Sequence, residues 1–147
     1  MEFRSTAQKA CYEKIVPWMK ELFGEFVMLR NDAPAMAIVI GSAIAQVGVI
    51  PWGNDDATIN TRAYVVTGAE ATPELMHYLL RETDNMRFGA FGLDSDDDVF
   101  FEHAIVGSTC DKPELKASVM AVVVTADQYD DKIVARWGGQ RALDRMN

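Results

Sequence analysis

The chain has 147 residues, 49% of them hydrophobic and 24% charged, a composition typical of a globular protein that can bury a core without disulfides or metals. Its net charge of −8 excludes nucleic acids and anionic lipids as expected partners, and no apolar run reaches the ~18 residues of a membrane span. Two isolated cysteines, Cys11 and Cys110, and a polar N-terminus without a signal-peptide pattern predict reduced thiols and a cytoplasmic location.

The first half of the chain predicts one helix followed by strands. Residues 5–23 carry apolar side chains at helical spacing, but Pro17 lies among them, so the helix is either kinked or made of two pieces. Strands follow at residues 26–29, 36–40, 43–50 and 58–66, with a loop at residues 51–56. Because the connections are too short for a crossover helix, we expect antiparallel pairing.

The second half predicts a helix, a hairpin and a long helix. Thr72 and Pro73 favour the start of a helix over residues 73–84. Two adjacent rows of apolar side chains give this helix a wide face that we expect to be buried. The same residues are candidates for a dimer interface: Leu75, Met76, Leu79 and Leu80.

A hairpin over residues 88–106 and a helix from about residue 111 to Gly138 follow, with a short amphipathic tail at residues 140–147. The chain therefore predicts one α+β domain over residues 1–147, with an antiparallel sheet flanked by helices in the order α-β-β-β(-β)-α-β-β-α.

The hairpin contains two patterns that resemble chemical sites. Asp94, Asp96 and Asp98 are spaced like the first ligands of a calcium loop, but Val99 stands where that loop needs glycine and Ile105 where it needs an acid. Glu102 and His103 are neighbours on a strand and point to opposite faces, so they cannot share a ligand. We therefore predict no catalytic residue, no cofactor and no metal, and a protein that is not an enzyme.

An alternative stays open from the sequence. Trp52, His103 and Cys110 would surround a pocket for a small molecule or an enzymatic reaction if the fold brought them together. The thiol of Cys110 precedes a helix N-terminus, where a thiol pKa can fall. This alternative competes with a protein-binding function.

Two groups of side chains are candidates for contact with a partner. The first comprises the aromatic residues of the hairpin, Phe88, Phe91, Phe100 and Phe101, which cannot all face one side of a two-stranded hairpin. The second comprises Asp127, Asp130 and Asp131, which share one side of the long helix and form either a solvated surface or a docking surface for a basic segment.

Four stretches together carry a family resemblance: GSAIAQVGVIPW (41–52), TPELMHYLL (72–80), RFGAFGLDSDDDVFFEHAIVGST (87–109) and ADQYDDKIVARWGG (126–139). In these the chain resembles the YbjN-like family, which is related in fold to type III secretion chaperones of the CesT kind. The resemblance implies a homodimer that binds a peptide or protein partner as a chaperone or regulator, with no catalytic residues to transfer.

Overall fold

The computed structural model describes residues 1–146, in which four α-helices and one short 3₁₀ helix (Gly24–Phe26) accompany an antiparallel sheet. The helices are α1 (Thr6–Phe23), α2 (Pro73–Asp84), α3 (Lys112–Trp137) and α4 (Ala142–Met146). The strands are β1 (Val27–Leu29), β2 (Ala35–Ile40), β3 (Ala43–Trp52), β4 (Asp56–Thr67), β5 (Ala90–Leu93), β6 (Val99–Val106) and β7 (Gln140–Arg141). The predicted α+β class and element order are confirmed, and β7 and α4 are additional elements.

The sheet has the order β1-β2-β3-β4-β6-β5, and β7 pairs with the end of β4. Alternate side chains of the strands join α1, α2 and α3 in one hydrophobic core, to which Ile15, Leu75 and Val122 contribute from the helices. We call this side of the sheet the inner face. The opposite side, the outer face, presents a row that crosses the sheet in register: Met28, Ala37, Gln46, Arg62, Glu102 and Ala90.

Each of the three long helices begins at a side-chain cap. The hydroxyl of Thr72 accepts from the Leu75 amide, as predicted, and the Asp111 carboxylate accepts from the Glu114 amide at 2.8 Å. Caps of this kind satisfy amides that the helix leaves without an internal partner. Helix α1 runs without interruption past Pro17, so the alternative of two separate helices is wrong.

The hairpin of β3 and β4 is longer than the sequence predicts. Pro51 pairs with Ala57 and Trp52 with Asp56, so the predicted loop at residues 51–56 shrinks to a tight turn. Asp56 anchors the start of β4, because its carboxylate accepts hydrogen bonds from the amide and hydroxyl of Ser108 at 3.1 and 2.6 Å. That contact joins residues 52 positions apart, which local sequence patterns do not reveal.

The buried hydroxyl of Thr61 gives a testable prediction about the stability of the inner face. Its side chain is fully buried between the sheet and the helices, and its hydroxyl has no hydrogen-bond partner within residues 1–146. Because an unpaired buried hydroxyl is unfavourable, Thr61→Val is expected to raise the free energy of unfolding by about 1 kcal/mol. Urea denaturation measures the change. The control Thr58→Val removes an outer-face hydroxyl that donates to Asn60 at 2.6 Å, and no stabilisation is expected there. Lower stability of Thr61→Val would contradict the prediction.

Candidate functional site

The outer face contains a groove of about 870 Å³ over β2, β3 and β4. Its floor is made of small residues, since Ala35 pairs directly with Gly48 and Ala37 lies in the next outward position of β2. Ile44 and Ile50 line the groove along β3 on either side of Gly48. Where Ala35, Ala37 and Gly48 adjoin, the floor has no long side chain, which allows a second backbone to approach the sheet closely; Gln46 lies beside this part.

A chain of polar side chains borders the floor, and we call it the polar row. On β4 the Thr58 hydroxyl donates to Asn60 at 2.6 Å, and the Arg62 guanidinium donates to Glu102 of β6 at 2.9 Å. Tyr64 continues the row and donates to Asp94 at 2.8 Å. These contacts fix the directions in which the polar groups face the groove.

The protonation states in the polar row follow from its contacts. The hydrogen bond from Tyr64 lowers the pKa of Asp94, and the same contact raises the pKa of the Tyr64 hydroxyl. Asp94 is therefore ionised and Tyr64 is a donor at neutral pH. Asp94 also accepts from the amides of Asp96 and Asp98 at 2.9 and 3.0 Å, so this aspartate organises the hairpin turn.

The four phenylalanines of the hairpin divide between the two faces. Phe91 and Phe101 pack against each other in the core, with ring centroids 5.0 Å apart. Phe100 points to the outer face, where the Arg62 guanidinium lies 3.8 Å from its ring centroid, a cation–π contact. Phe88 is exposed and packs edge-on against His103. Only Phe88 and Phe100 of this predicted set lie where a partner can reach them.

The acidic residues of α3 hold the turn between β2 and β3. Asp127 accepts from the amide and hydroxyl of Ser42 at 2.9 and 2.6 Å, and Asp130 lies 2.5 Å from the same hydroxyl. Asp130 is 2% exposed, so the prediction of one negative surface patch is wrong for that residue. Asp131 is exposed and lies 3.8 Å from Arg141.

The apolar residues of α2 also divide. Leu75 and Leu79 lie in the core, whereas Met76 and Leu80 are 40% and 72% exposed. The buried face of α2 is therefore narrower than predicted. Helix α2 lies at the edge of the sheet beside β5, so only one row of its side chains reaches the core. Met76 and Leu80, one turn apart, remain on the surface as an apolar pair.

The residues of the alternative pocket do not line the groove. Trp52 is exposed at the end of β3, and His103 points to the inner face, where its Nδ1 lies 2.7 Å from the Ser118 hydroxyl. Burial lowers the pKa of His103 and raises the pKa of Cys110 to about 11. A thiol with that pKa is protonated at neutral pH and is a poor nucleophile.

Neither a metal-binding cluster nor a membrane-spanning helix occurs in the part of the chain that the structure describes. No group of three or more His, Cys, Asp or Glu side chains is arranged there to hold a metal ion. Among residues 1–146, no helix combines the length and the apolar content that a bilayer span requires.

Comparison with known proteins places the chain in a family. Residues 12–145 match the family model described as "T3SS (YopN, CesT) and YbjN peptide-binding chaperone 1". The chain belongs to this family. The predicted resemblance to YbjN-like proteins and CesT-type chaperones is thereby confirmed, and the family is one of peptide-binding chaperones. No curated protein matches the chain in sequence.

Two solved structures share the fold at low sequence identity. A chain from the structure of the HopA1–SchA chaperone–effector complex is 8% identical, with a TM-score of 0.62, covering 82% of this chain and 94% of that one. A chain from the crystal structure of the ExsC–ExsE complex is 10% identical, with a TM-score of 0.65, covering 88% and 96%. The folds therefore agree over almost the whole length of both neighbours.

Proposed function

We propose that the protein binds a segment of a partner protein in the outer-face groove and acts as a chaperone or regulator of that partner. The observation that carries the proposal is the floor of small residues beside the polar row, in a chain whose family is described as peptide-binding. One structural neighbour comes from a chaperone–effector complex, which supports a protein as the partner.

The groove suits a peptide for physical reasons. Ala35, Ala37 and Gly48 leave room for a backbone to lie against the sheet, while Ile44 and Ile50 offer apolar contacts. The amide of Asn60 and the guanidinium of Arg62, which both donate to Glu102, place fixed polar groups along one side. Such a combination of apolar contact area and a few fixed polar groups is typical of ligand sites.

Filling the groove tests this function. Gly48 has ordinary backbone dihedrals, and a Cβ there would meet only the Ala35 Cβ, at 4.0 Å, so Gly48→Leu fits the fold but occupies the floor. We expect this variant to weaken binding of peptides from a synthetic library by about thirtyfold, the loss of a central contact worth ~2 kcal/mol. Fluorescence anisotropy measures binding, and thermal melting checks the fold.

The control variant is Ala104→Leu, which adds the same side chain to the same face on β6, outside the groove. It should bind the library peptides like the wild type. Equal binding by Gly48→Leu and Ala104→Leu, or no library peptide bound by the wild type, would overturn the proposed site.

The protonated thiol of Cys110 and the inward position of His103 favour binding without catalysis, and no cofactor is needed for it. We also propose a single functional domain over residues 1–147 and a cytoplasmic location, in keeping with the reduced cysteines.

The proposed assembly is a homodimer through the exposed side of α2. Leu80→Glu is expected to convert the dimer to a monomer, because it places a charge beside Met76 in the proposed apolar interface. Light scattering coupled to gel filtration measures the mass. The control Met28→Glu changes another exposed apolar residue, on β1, and should leave the mass unchanged. A wild-type monomer at all concentrations would contradict the dimer.

A further inference from the structure

The C-terminal residues 138–146 pass from the helices to the outer face, and we call them the C-terminal strap. Gly138 and Gly139, with φ of +76° and +80°, redirect the chain after α3. A Cβ at Gly139 would lie 2.5 Å from the Thr67 carbonyl, so only glycine allows this close passage. Strand β7 then pairs with β4, and α4 packs on β3 and β4.

Helix α4 lies at one end of the groove. A second cavity of about 180 Å³ lies between α4 and the sheet and is lined by Ile44, Tyr64, Thr67, Ala142 and Arg145. Ile44 and Tyr64 line the groove as well, so the two cavities are neighbours on the same face. Removal of α4 would extend the groove toward Thr67.

Helix α4 is the weakly held part of the strap, since β7 is anchored by its pairing with β4 and by Arg141, which lies 3.8 Å from Asp131. Ala142 is buried, but the other described side chains of α4 are half-buried or exposed. Arg145 lies 3.6 Å from Asp98 and is 62% exposed, and an exposed ion pair contributes little. A helix of five residues has almost no stability of its own.

The strap also leaves one buried polar group of its site without a hydrogen bond. Thr67, which lines the cavity, is 5% exposed, and its hydroxyl has no hydrogen-bond partner within residues 1–146. A buried hydroxyl without a partner is unfavourable. A segment that brings an acceptor to Thr67 would therefore bind this site better than the strap does.

The end of the groove under α4 is acidic. Asp98 has only 12% of its side chain exposed; one carboxylate oxygen accepts from the Gly68 amide at 2.8 Å, and the other faces Arg145. The adjoining turn adds Asp94, Asp96 and Asp97, and Tyr64 connects Asp94 to the groove. The charge of this end is complementary to a basic side chain.

We propose that the strap is a displaceable self-ligand, which a basic segment of the partner replaces; the inference rests on the proposed function. The strap, which occupies the site in this structure, indicates the chemistry of the partner segment. We expect that segment to form a turn of helix in which a small apolar residue is followed, three positions later, by arginine or lysine, as Ala142 is followed by Arg145. The small residue enters the site of Ala142, and the basic residue pairs with Asp98.

The test uses full-length variants and the strap itself as a probe. Ala142 lies outside the main core cluster, so Ala142→Glu expels α4 from its site without changing that core. Arg145→Glu loosens it by repulsion from Asp98. Lys116→Glu, at an exposed position of α3, is the control for the change of charge. The probe is a synthetic peptide with the sequence GGQRALDRMN, residues 138–147.

In NMR titrations, the peptide is expected to bind Ala142→Glu and Arg145→Glu and to shift the signals of Ile44, Tyr64 and Thr67. The wild type and Lys116→Glu should bind it about tenfold more weakly, since their own strap occupies the site in most molecules. A peptide carrying glutamate in place of its second arginine should bind more weakly, because Asp98 repels the glutamate. Equal affinity for all four proteins, or no binding to either folded strap variant, would overturn the proposal.

The library peptides separate this proposal from the function on which it rests. If the groove binds peptides but the strap does not compete, basic library peptides will bind the wild type and Ala142→Glu equally, which overturns the self-ligand alone. If the groove is not a peptide site, no library peptide will bind, whereas the strap peptide will still bind Ala142→Glu.

Discussion

Replacing Phe101 with alanine is expected to lower the free energy of unfolding by about 3–5 kcal/mol. The ring is fully buried on the inner face and packs edge-on against Phe91, 5.0 Å away between centroids. Removal of a buried aromatic ring loses its transfer free energy and leaves a cavity, because the surrounding helices and strands relax only in part. Urea denaturation measures the loss.

The next residue on the strand is the matched control. Phe100 points to the outer face and contacts the Arg62 guanidinium, so Phe100→Ala should cost only about 1 kcal/mol. For partner binding the order should reverse. Phe100→Ala should weaken binding more than Phe101→Ala does, because the Phe100 ring supports Arg62 in the polar row. Similar losses of stability in the two variants would contradict the assignment of the two faces.

The division of these phenylalanines was partly predictable from the sequence. Neighbouring residues on a strand point in opposite directions, so Phe100 and Phe101 had to separate. A Cβ at Gly92 would lie 2.4 Å from the ring of Phe100, so this glycine allows the ring to pack closely against β5. Which phenylalanine faced the helices could not be predicted, because that depends on where α2 and α3 lie across the sheet.

The long-range polar contacts were not predictable. Ser42 and Asp130 are 88 residues apart, and nothing in a turn or in a helical pattern indicates that they meet. The sequence therefore suggested a solvent-facing acidic patch where the fold uses two carboxylates as anchors. The strap shows the same limit, since the weak pattern of residues 140–146 becomes β7 and α4 only against the end of β4.

The contact between Ser42 and α3 brings two carboxyl groups to one hydroxyl. The Ser42 oxygen lies 2.6 Å from Asp127 and 2.5 Å from Asp130, but its hydroxyl carries one hydrogen and can donate to only one of them. Hydrogen bonds from Ser42 lower the pKa of Asp127, whereas burial raises the pKa of Asp130. Of the two carboxyl groups, Asp130 therefore takes up a proton more readily, and its protonated form donates to Ser42, which donates to Asp127.

Neighbouring charges add to the effect of burial on the pKa of Asp130, whereas the hydrogen bonds from Ser42 and from the Asp131 amide lower it. Asp127 and Asp131 on α3 both disfavour a second negative charge and raise the pKa of Asp130. Arg141 of the strap stands on the opposite side, 3.8 Å from Asp131, and is paired with Asp144. Because the native pKa of Asp130 lies above its unfolded value, its stabilising contribution is complete at low pH and is lost as the pH rises through the native pKa.

Asp130→Asn is expected to remove this loss of stability. The amide NH₂ can donate to Ser42 at every pH, and the amide oxygen can still accept from the Asp131 backbone N–H, as the carboxylate does at 2.6 Å. Near pH 4 the variant should be within about 1 kcal/mol of the wild type. Toward neutral pH it should become the more stable protein, because only the wild type must bury an additional charge or break the contact with Ser42.

Urea denaturation of both proteins between about pH 4 and pH 8 measures the difference in stability. The lowered pKa of Asp127 gives a contribution to stability that is lost on acidification, opposite in sign to that of Asp130. Because Asp127 is present in both proteins, much of this contribution cancels in the difference. Asp55→Asn, in an exposed turn, is the control and should follow the wild type at each pH. A constant difference between Asp130→Asn and the wild type across the range would show that the fold does not raise the pKa of Asp130.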